Sequence, residues 1–136
     1  MSNIIIGSSG FLSQEIRLYS EISDWLWISS STNTRNIRLD IFDASTYQVL
    51  NNLNINTCVI LSWPFLPNYE SDIHIWKTLP AIKMLIDHLV RYNIKQIIGV
   101  GSCYEYGCRN GCLNEIDFCD GYLTPYGEAK SRMKDH

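Results

Sequence analysis

Tyr126 and Lys130 stand four residues apart in Pro125-Tyr126-Gly127-Glu128-Ala129-Lys130. That spacing sets both side chains on one face of a helix begun by Pro125. A phenol titrates near pH ~10, too high for efficient proton exchange at neutral pH. A neighbouring ammonium is expected to stabilise the phenolate, lower that pKa and fit the phenol to acid–base work. Ser102, at the end of an apolar run, is placed to hydrogen-bond the same substrate oxygen. A hydride donor held elsewhere would complete carbonyl/alcohol redox chemistry. With eight tyrosines in the chain, a Tyr-x-x-x-Lys pair alone says little. Its position after a glycine turn and after Ser102 says more.

The glycine turn lies at the start, in Asn3-Ile4-Ile5-Ile6-Gly7-Ser8-Ser9-Gly10-Phe11-Leu12-Ser13-Gln14. Three isoleucines run into a Gly-x-x-Gly turn and then a helical pattern, with Leu12, Ile16 and Tyr19 on one stripe. A buried strand feeding a helix through such a turn makes a phosphate cradle. The first glycine permits a sharp turn, and the second lets a pyrophosphate approach backbone N–H groups at the helix terminus. Ser13 occupies the place where many dinucleotide folds carry a third glycine. A plain strand–turn–helix would read the same, so the turn needs the rest of the chain to give it meaning.

Five cysteines, Cys58, Cys103, Cys108, Cys112 and Cys119, make an odd count that argues against a disulfide framework. Their spacing contains no Cys-x-x-Cys, and no histidine falls among the last four, so reduced thiols without a metal are expected. A chain of 136 residues, 46% hydrophobic and 18% charged, suits one globular domain able to bury roughly two-thirds of its unfolded surface. A net charge of −3 gives no footprint for nucleic acid or an anionic membrane. The opening apolar run is too short for a signal peptide and no stretch reaches membrane length, which predicts a cytoplasmic protein.

The elements that must carry these groups alternate between strand and helix. Trp25–Ser29 reads as a second strand, followed by Ser29-Ser30-Ser31-Thr32-Asn33-Thr34-Arg35. An acidic residue usually ends this strand in NAD-selective folds, to bind the ribose 2′-hydroxyl. Here none appears before Asp40, and Ser30 with Arg35 would suit a 2′-phosphate, so NADP is expected ahead of NAD. A polar surface loop is the alternative. Ile37–Phe42 reads as a third strand, with Asp43 capping a helix that buries Val49, Leu50 and Leu53. Thr57–Ser62 is a fourth strand, apolar as parallel strands covered on both faces are. A helix over 72–92 carries Ile75, Leu79, Ile82, Ile86 and Leu89 on one stripe. Pro80 should kink it or delay its start, and Asn93 should stop it. A fifth strand, Ile97–Gly101, leads to Ser102. The pattern predicts an α/β, doubly wound parallel sheet in the order 3-2-1-4-5. The long irregular loop over 108–123 lies where such folds bind ligands.

These motifs, in this order, resemble the extended short-chain dehydrogenase/reductase superfamily, in its branch of NAD(P)-dependent sugar-nucleotide epimerases, dehydratases and 4-ketoreductases. The similarity runs from Asn3 to Lys130. Ile6-Gly7-Ser8-Ser9-Gly10-Phe11-Leu12 looks like the branch's glycine motif, which implies cofactor contacts at Gly7, Ser9, Gly10, Phe11 and Leu12. Leu39-Asp40-Ile41 is similar to the segment that meets the adenine, implicating Asp40 and Ile41. Ser62 stands at the small-residue position beside the cofactor after strand four. Gly101-Ser102-Cys103-Tyr104-Glu105-Tyr106-Gly107 resembles the Ser-x-x-x-Tyr-Gly motif, and Thr124–Lys130 matches the catalytic Tyr/Lys segment. The resemblance implies Ser102, Tyr126 and Lys130 as catalytic residues, with Tyr126 and Lys130 also touching the cofactor, and a nucleotide-sugar substrate.

Cys103 and Tyr104 stand where the branch's 4,6-dehydratases carry an Asp-Glu pair, so the resemblance points to 4-keto or 4-hydroxyl chemistry by a reductase or epimerase of deoxysugar or surface-polysaccharide biosynthesis. Relatives continue for more than a hundred residues past Lys130, adding a sixth strand and a substrate domain. The expectation is therefore an incomplete Rossmann-like domain over residues 1–136. Its fifth strand would form an open edge prone to self-association, and turnover by this chain alone would be negligible. A remnant without catalysis that keeps a dinucleotide-binding core is the alternative reading.

Overall fold

The computed structural model describes residues 1–19, 24–31, 37–92, 94–117 and 121–136. They fall into two compact units, Met1–Trp63 with Met84–Val100, and Pro64–Lys83 with Gly101–His136. Arg35, Asn93 and Cys119 lie outside the described residues, and so do the expectations attached to them.

The first unit holds a parallel five-stranded sheet. Its strands are β1 (Ser2–Ile6), β2 (Trp25–Ser29), β3 (Ile37–Arg38), β4 (Ile55–Ile60) and β5 (Gln96–Gly99), in the order β3-β2-β1-β4-β5. The expected topology is the observed one. Its cause is the composition of β1, whose Ile4, Ile5 and Ile6 are all buried. A strand apolar on both faces is stable only mid-sheet with both faces covered, and each isoleucine contributes roughly 1.5–3 kcal/mol by leaving water. β1 pairs Ile4 with Leu26 on one side and with Cys58 on the other. β5, at the edge, leaves Gln96, Ile98 and Gly99 exposed.

Several boundaries differ from the sequence expectation. β3 stops after two residues because Asp40 begins a turn. Its Oδ1 accepts from the Phe42 N–H at 2.9 Å, and its carbonyl accepts from the Asp43 N–H at 3.1 Å. A carboxylate that bonds the backbone two residues on competes with the sheet ladder. Asp43 does cap, but the first turn it caps is the 3₁₀ turn Ala44–Tyr47, which leads into α2 (Gln48–Asn51). In α2 Leu50 is buried and Val49 half-buried, and Leu53, just beyond the helix, is also half-buried. The helical pattern expected after the glycine turn is α1 (Phe11–Tyr19), in which Leu12 is 48% exposed and Ile16 half-buried, while Ser13 is fully closed from solvent.

The helix expected over 72–92 becomes a π-helical turn, His74–Thr78, followed by α3 (Leu79–Arg91). The Leu79 N–H reaches back five residues to the His74 carbonyl. Pro80 has no N–H to continue the ladder, so the regular helix starts beside it, as the proline predicted. Ile82, Leu85 and Leu89 are buried, and Ile86, expected among them, is half-buried.

In the second unit α4 (Pro125–Lys134) opens with every early donor accounted for. Pro125 has none, the Tyr126 N–H bonds the Tyr69 carbonyl at 3.2 Å, and the Gly127 N–H bonds the Thr124 Oγ1 at 3.1 Å. Thr124 is thus the N-cap, and the helix entrance is fixed.

Candidate active site

The glycine turn follows β1 directly. The Gly7 and Ser8 N–H groups both bond the Ile28 carbonyl, at 2.9 and 3.0 Å, and the Gly10 N–H bonds the Gly7 carbonyl at 3.1 Å. Gly7 has φ +99°, and a Cβ there would stand 2.6 Å from the Ser62 nitrogen. Only glycine fits, and the fit brings Gly7 and Ser62, two residues singled out in the sequence, side by side. Ser13 does what a third glycine would not, since its hydroxyl donates to the Gly7 carbonyl at 2.7 Å and ties α1 to the turn.

Ser9, Gly10, Phe11 and Leu12 are exposed at the mouth of this turn. The first N–H groups of α1 have no intrahelical acceptor. The Ser8 hydroxyl is buried and lacks a partner among the described residues. Open backbone donors, a helix N-terminus and an unpaired hydroxyl fit a pyrophosphate. After β2, Ser29 is buried with its hydroxyl 2.8 Å from that of Ser31, and Ser30 is exposed. Asp40 is half-buried with Oδ1 already engaged by Phe42, and Ile41 is buried.

The second unit brings Ser102, Tyr126 and Lys130 together. Ser102, in extended conformation, caps the 3₁₀ turn Cys103–Tyr106. Its hydroxyl accepts from the Tyr104 N–H at 3.3 Å, and its side chain hydrogen-bonds Tyr126. The Lys130 Nζ lies 6.0 Å from the centre of the Tyr126 ring. Gly127 lets α4 approach the turn that Ser102 caps. A Cβ on it would come within 2.5 Å of the Tyr104 carbonyl.

The electrostatics differ from the sequence expectation. The Tyr126 pKa is raised above the ordinary phenol value, chiefly by burial, with the Ser102 hydrogen bond pulling it down and the charges of Tyr69, Glu105 and Cys103 pushing it up. Lys130, 6% exposed, is itself lowered to about 8 by burial, and the Glu105 carboxylate pulls it back up. Lysine therefore does not lower the phenol here, because burial disfavours the charged form of both groups. At neutral pH the site holds a neutral phenol beside an ammonium, the proton-donating state.

Sequence reasoning missed four features of this site. Tyr69 stacks on Tyr104 with ring centres 5.1 Å apart and meets Tyr126 edge-on at 5.3 Å. His74, fully buried, meets Tyr126 edge-on at 5.4 Å and donates from Nε2 to the Asn68 carbonyl at 2.7 Å. The remaining two are Gly127 and Glu105. Only Glu105 had a readable signal, the Ser-x-x-Glu capping-box spacing from Ser102. Glu105 and Tyr106 also line a cavity of about 210 Å³ with Asp117, Tyr122 and Lys134.

Cys58 is buried, with its thiol pushed up to about 12, and Cys103, Cys108 and Cys112 are exposed free thiols. Among the described residues no group of three or more His, Cys, Asp or Glu is arranged to hold a metal. Among them, too, no helix is long and apolar enough to cross a membrane.

No family model and no curated protein matches the sequence. Solved structures do match its fold. MoeE5 in complex with UDP-glucose and NAD superposes with a TM-score of 0.78 at 21% identity, over 99% of this chain and 47% of that one. UDP-glucose 4-epimerase from Bifidobacterium longum, in complex with NAD+ and UDP, gives 0.80 at 17% identity, over 99% and 47%. A hypothetical dTDP-4-dehydrorhamnose reductase from Sulfolobus tokodaii gives 0.76 at 19% identity, over 99% and 51%. The fold is thus the Rossmann fold found in nucleotide-sugar epimerases and reductases. The chain spans about half the length of each of these structures.

Proposed function

We propose that this chain is the dinucleotide-binding part of an NAD(P)-dependent oxidoreductase or epimerase that acts on a nucleotide-activated sugar, at a 4-keto or 4-hydroxyl group. The observation that carries the reading is the grouping of Ser102, Tyr126 and Lys130, with the first two hydrogen-bonded side chain to side chain. A bound nicotinamide dinucleotide supplies or accepts the hydride. Tyr126 gives its proton to the carbonyl oxygen in reduction and takes it back in oxidation. Ser102 orients that oxygen, and Lys130 contributes positive charge as negative charge develops on it. Gly7, Ser9, Gly10, Phe11 and Leu12 hold the pyrophosphate.

NADP is the first choice and NAD the second. The serines after β2 and the lack of an acidic residue between Ile28 and Asp40 favour a 2′-phosphate, while the solved structures whose descriptions name a dinucleotide name NAD. The pathway proposed is deoxysugar or surface-polysaccharide synthesis. The test uses NADPH or NADH dideuterated at the nicotinamide C4, with a panel of nucleotide-4-keto sugars and mass detection of deuterium in the sugar. Transfer that disappears in Tyr126→Phe is the expected result. No transfer under conditions where the dinucleotide binds, or transfer that survives Tyr126→Phe, contradicts the reading.

A further inference from the structure

We infer that Glu105 is a positioning residue for this proton exchange, with its carboxylate both fixing the Ser102 segment and serving as counter-charge to Lys130. The inference rests on the roles proposed for Ser102, Tyr126 and Lys130. Glu105 Oε1 accepts from the Ser102 N–H at 2.6 Å while Ser102 Oγ accepts from the Tyr104 N–H, a reciprocal cap on one short turn. Gly101 leaves room for it, since a Cβ there would lie 3.0 Å from the same Oε1.

A cap alone does not explain a charged residue. Glutamine closes a capping box as well as glutamate does. The charge is what glutamine lacks, and in this site the charge acts on two groups. It supports the Lys130 ammonium against burial and disfavours the Tyr126 phenolate. Both effects favour the protonated forms, which are the forms needed to donate a proton. The other ionisable groups against Tyr126 include Tyr69, Tyr104, Cys103 and the His74 ring. On α4 itself, Glu128 is paired with Arg132, which leaves Glu105 as the carboxylate that shapes the titration of Lys130.

The test is NMR titration of the lysine ε-carbons in the wild-type chain, Glu105→Gln and Glu105→Ala, with Lys130 assigned through Lys130→Met. In the wild type Lys130 titrates at about 8. In Glu105→Gln its midpoint falls by about half a unit or more, and the Ser102 amide resonance stays in place. In Glu105→Ala both move. An unchanged Lys130 midpoint in Glu105→Gln overturns the inference and leaves Glu105 as a cap only. None of this requires turnover. A protein that shifts Lys130 but transfers no hydride contradicts the proposed function alone, and one that transfers hydride without the shift contradicts this inference alone.

Discussion

The glycine turn and the Tyr126–Lys130 site reach function by opposite routes. The first is built from backbone. Its proposed recognition groups are the backbone N–H donors of Ser9, Phe11 and Leu12, its geometry depends on one residue at φ +99°, and its side chains serve mainly to brace it. The second is built from side chains whose ionisation is set by one another and by burial. A backbone site is fixed once the chain turns, and no local pH change alters it. A side-chain site can be retuned by a single carboxylate at some distance along the chain. Both depend on one glycine at a close approach, Gly7 against Ser62 and Gly127 against Tyr104.

That shared dependence gives the largest expected effects. Gly7→Ala and Gly127→Ala each push a methyl group into backbone, at 2.6 and 2.5 Å, and each should lower stability by roughly 2–4 kcal/mol in denaturant unfolding. The comparison is sharpened by the second readout. Gly7→Ala should abolish dinucleotide binding and leave the Lys130 titration intact, and Gly127→Ala should do the reverse. Equal damage to both readouts from either change would break the distinction.

Lys130 gives the next effect. Its folded pKa, about 8, lies below the ordinary lysine value of 10.5. The charged form is therefore disfavoured by folding. That cost is fully present below pH ~8 and disappears as pH rises through the unfolded value. Lys130→Met should raise the unfolding free energy at pH 7 by an amount on the order of 1–3 kcal/mol, read by denaturant unfolding. The advantage should vanish above pH ~10.5. A Lys130→Met protein less stable than wild type at pH 7 would show that the ammonium stabilises its surroundings.

The smallest effect belongs to the brace. Ser13→Ala removes one hydrogen bond to the Gly7 carbonyl, which still accepts from Gly10. It should cost about 1 kcal/mol or less and weaken dinucleotide binding severalfold without moving the Lys130 titration. A change that matched Gly7→Ala would mean that Ser13, more than the glycine, sets the turn.

The sheet was legible because β1 is apolar on both faces and strand–helix alternation leaves few topologies open. The two candidate segments could be picked out for a related reason, since Gly-x-x-Gly and Tyr-x-x-x-Lys are local patterns. What escaped was non-local. Nothing in the neighbourhood of Gly127 announces the Tyr104 carbonyl, and nothing near Tyr126 announces Tyr69 or His74, more than fifty residues earlier. The Tyr126 pKa went the wrong way because a pair pattern shows the neighbouring charge and conceals burial. Leu12 carries the apolar helical pattern and is exposed, whereas Ser13 is closed from solvent, held by a hydrogen bond that periodicity does not register.

The central claim is that the turn from Gly7 to Leu12 binds a nicotinamide dinucleotide, and calorimetric titration with NADPH and NADH tests it most directly. Gly10→Ala is the matched variant. Its added carbon meets only the Gly7 carbonyl, at an ordinary 3.4 Å, so the fold should persist while the exposed approach to the turn is obstructed. The expected result is binding by the wild-type chain, tighter for NADPH, and weakened at least about tenfold in Gly10→Ala. Tighter binding of NADH would overturn the preference for NADP. No binding of either dinucleotide, or undiminished binding in Gly10→Ala, would contradict the claim itself.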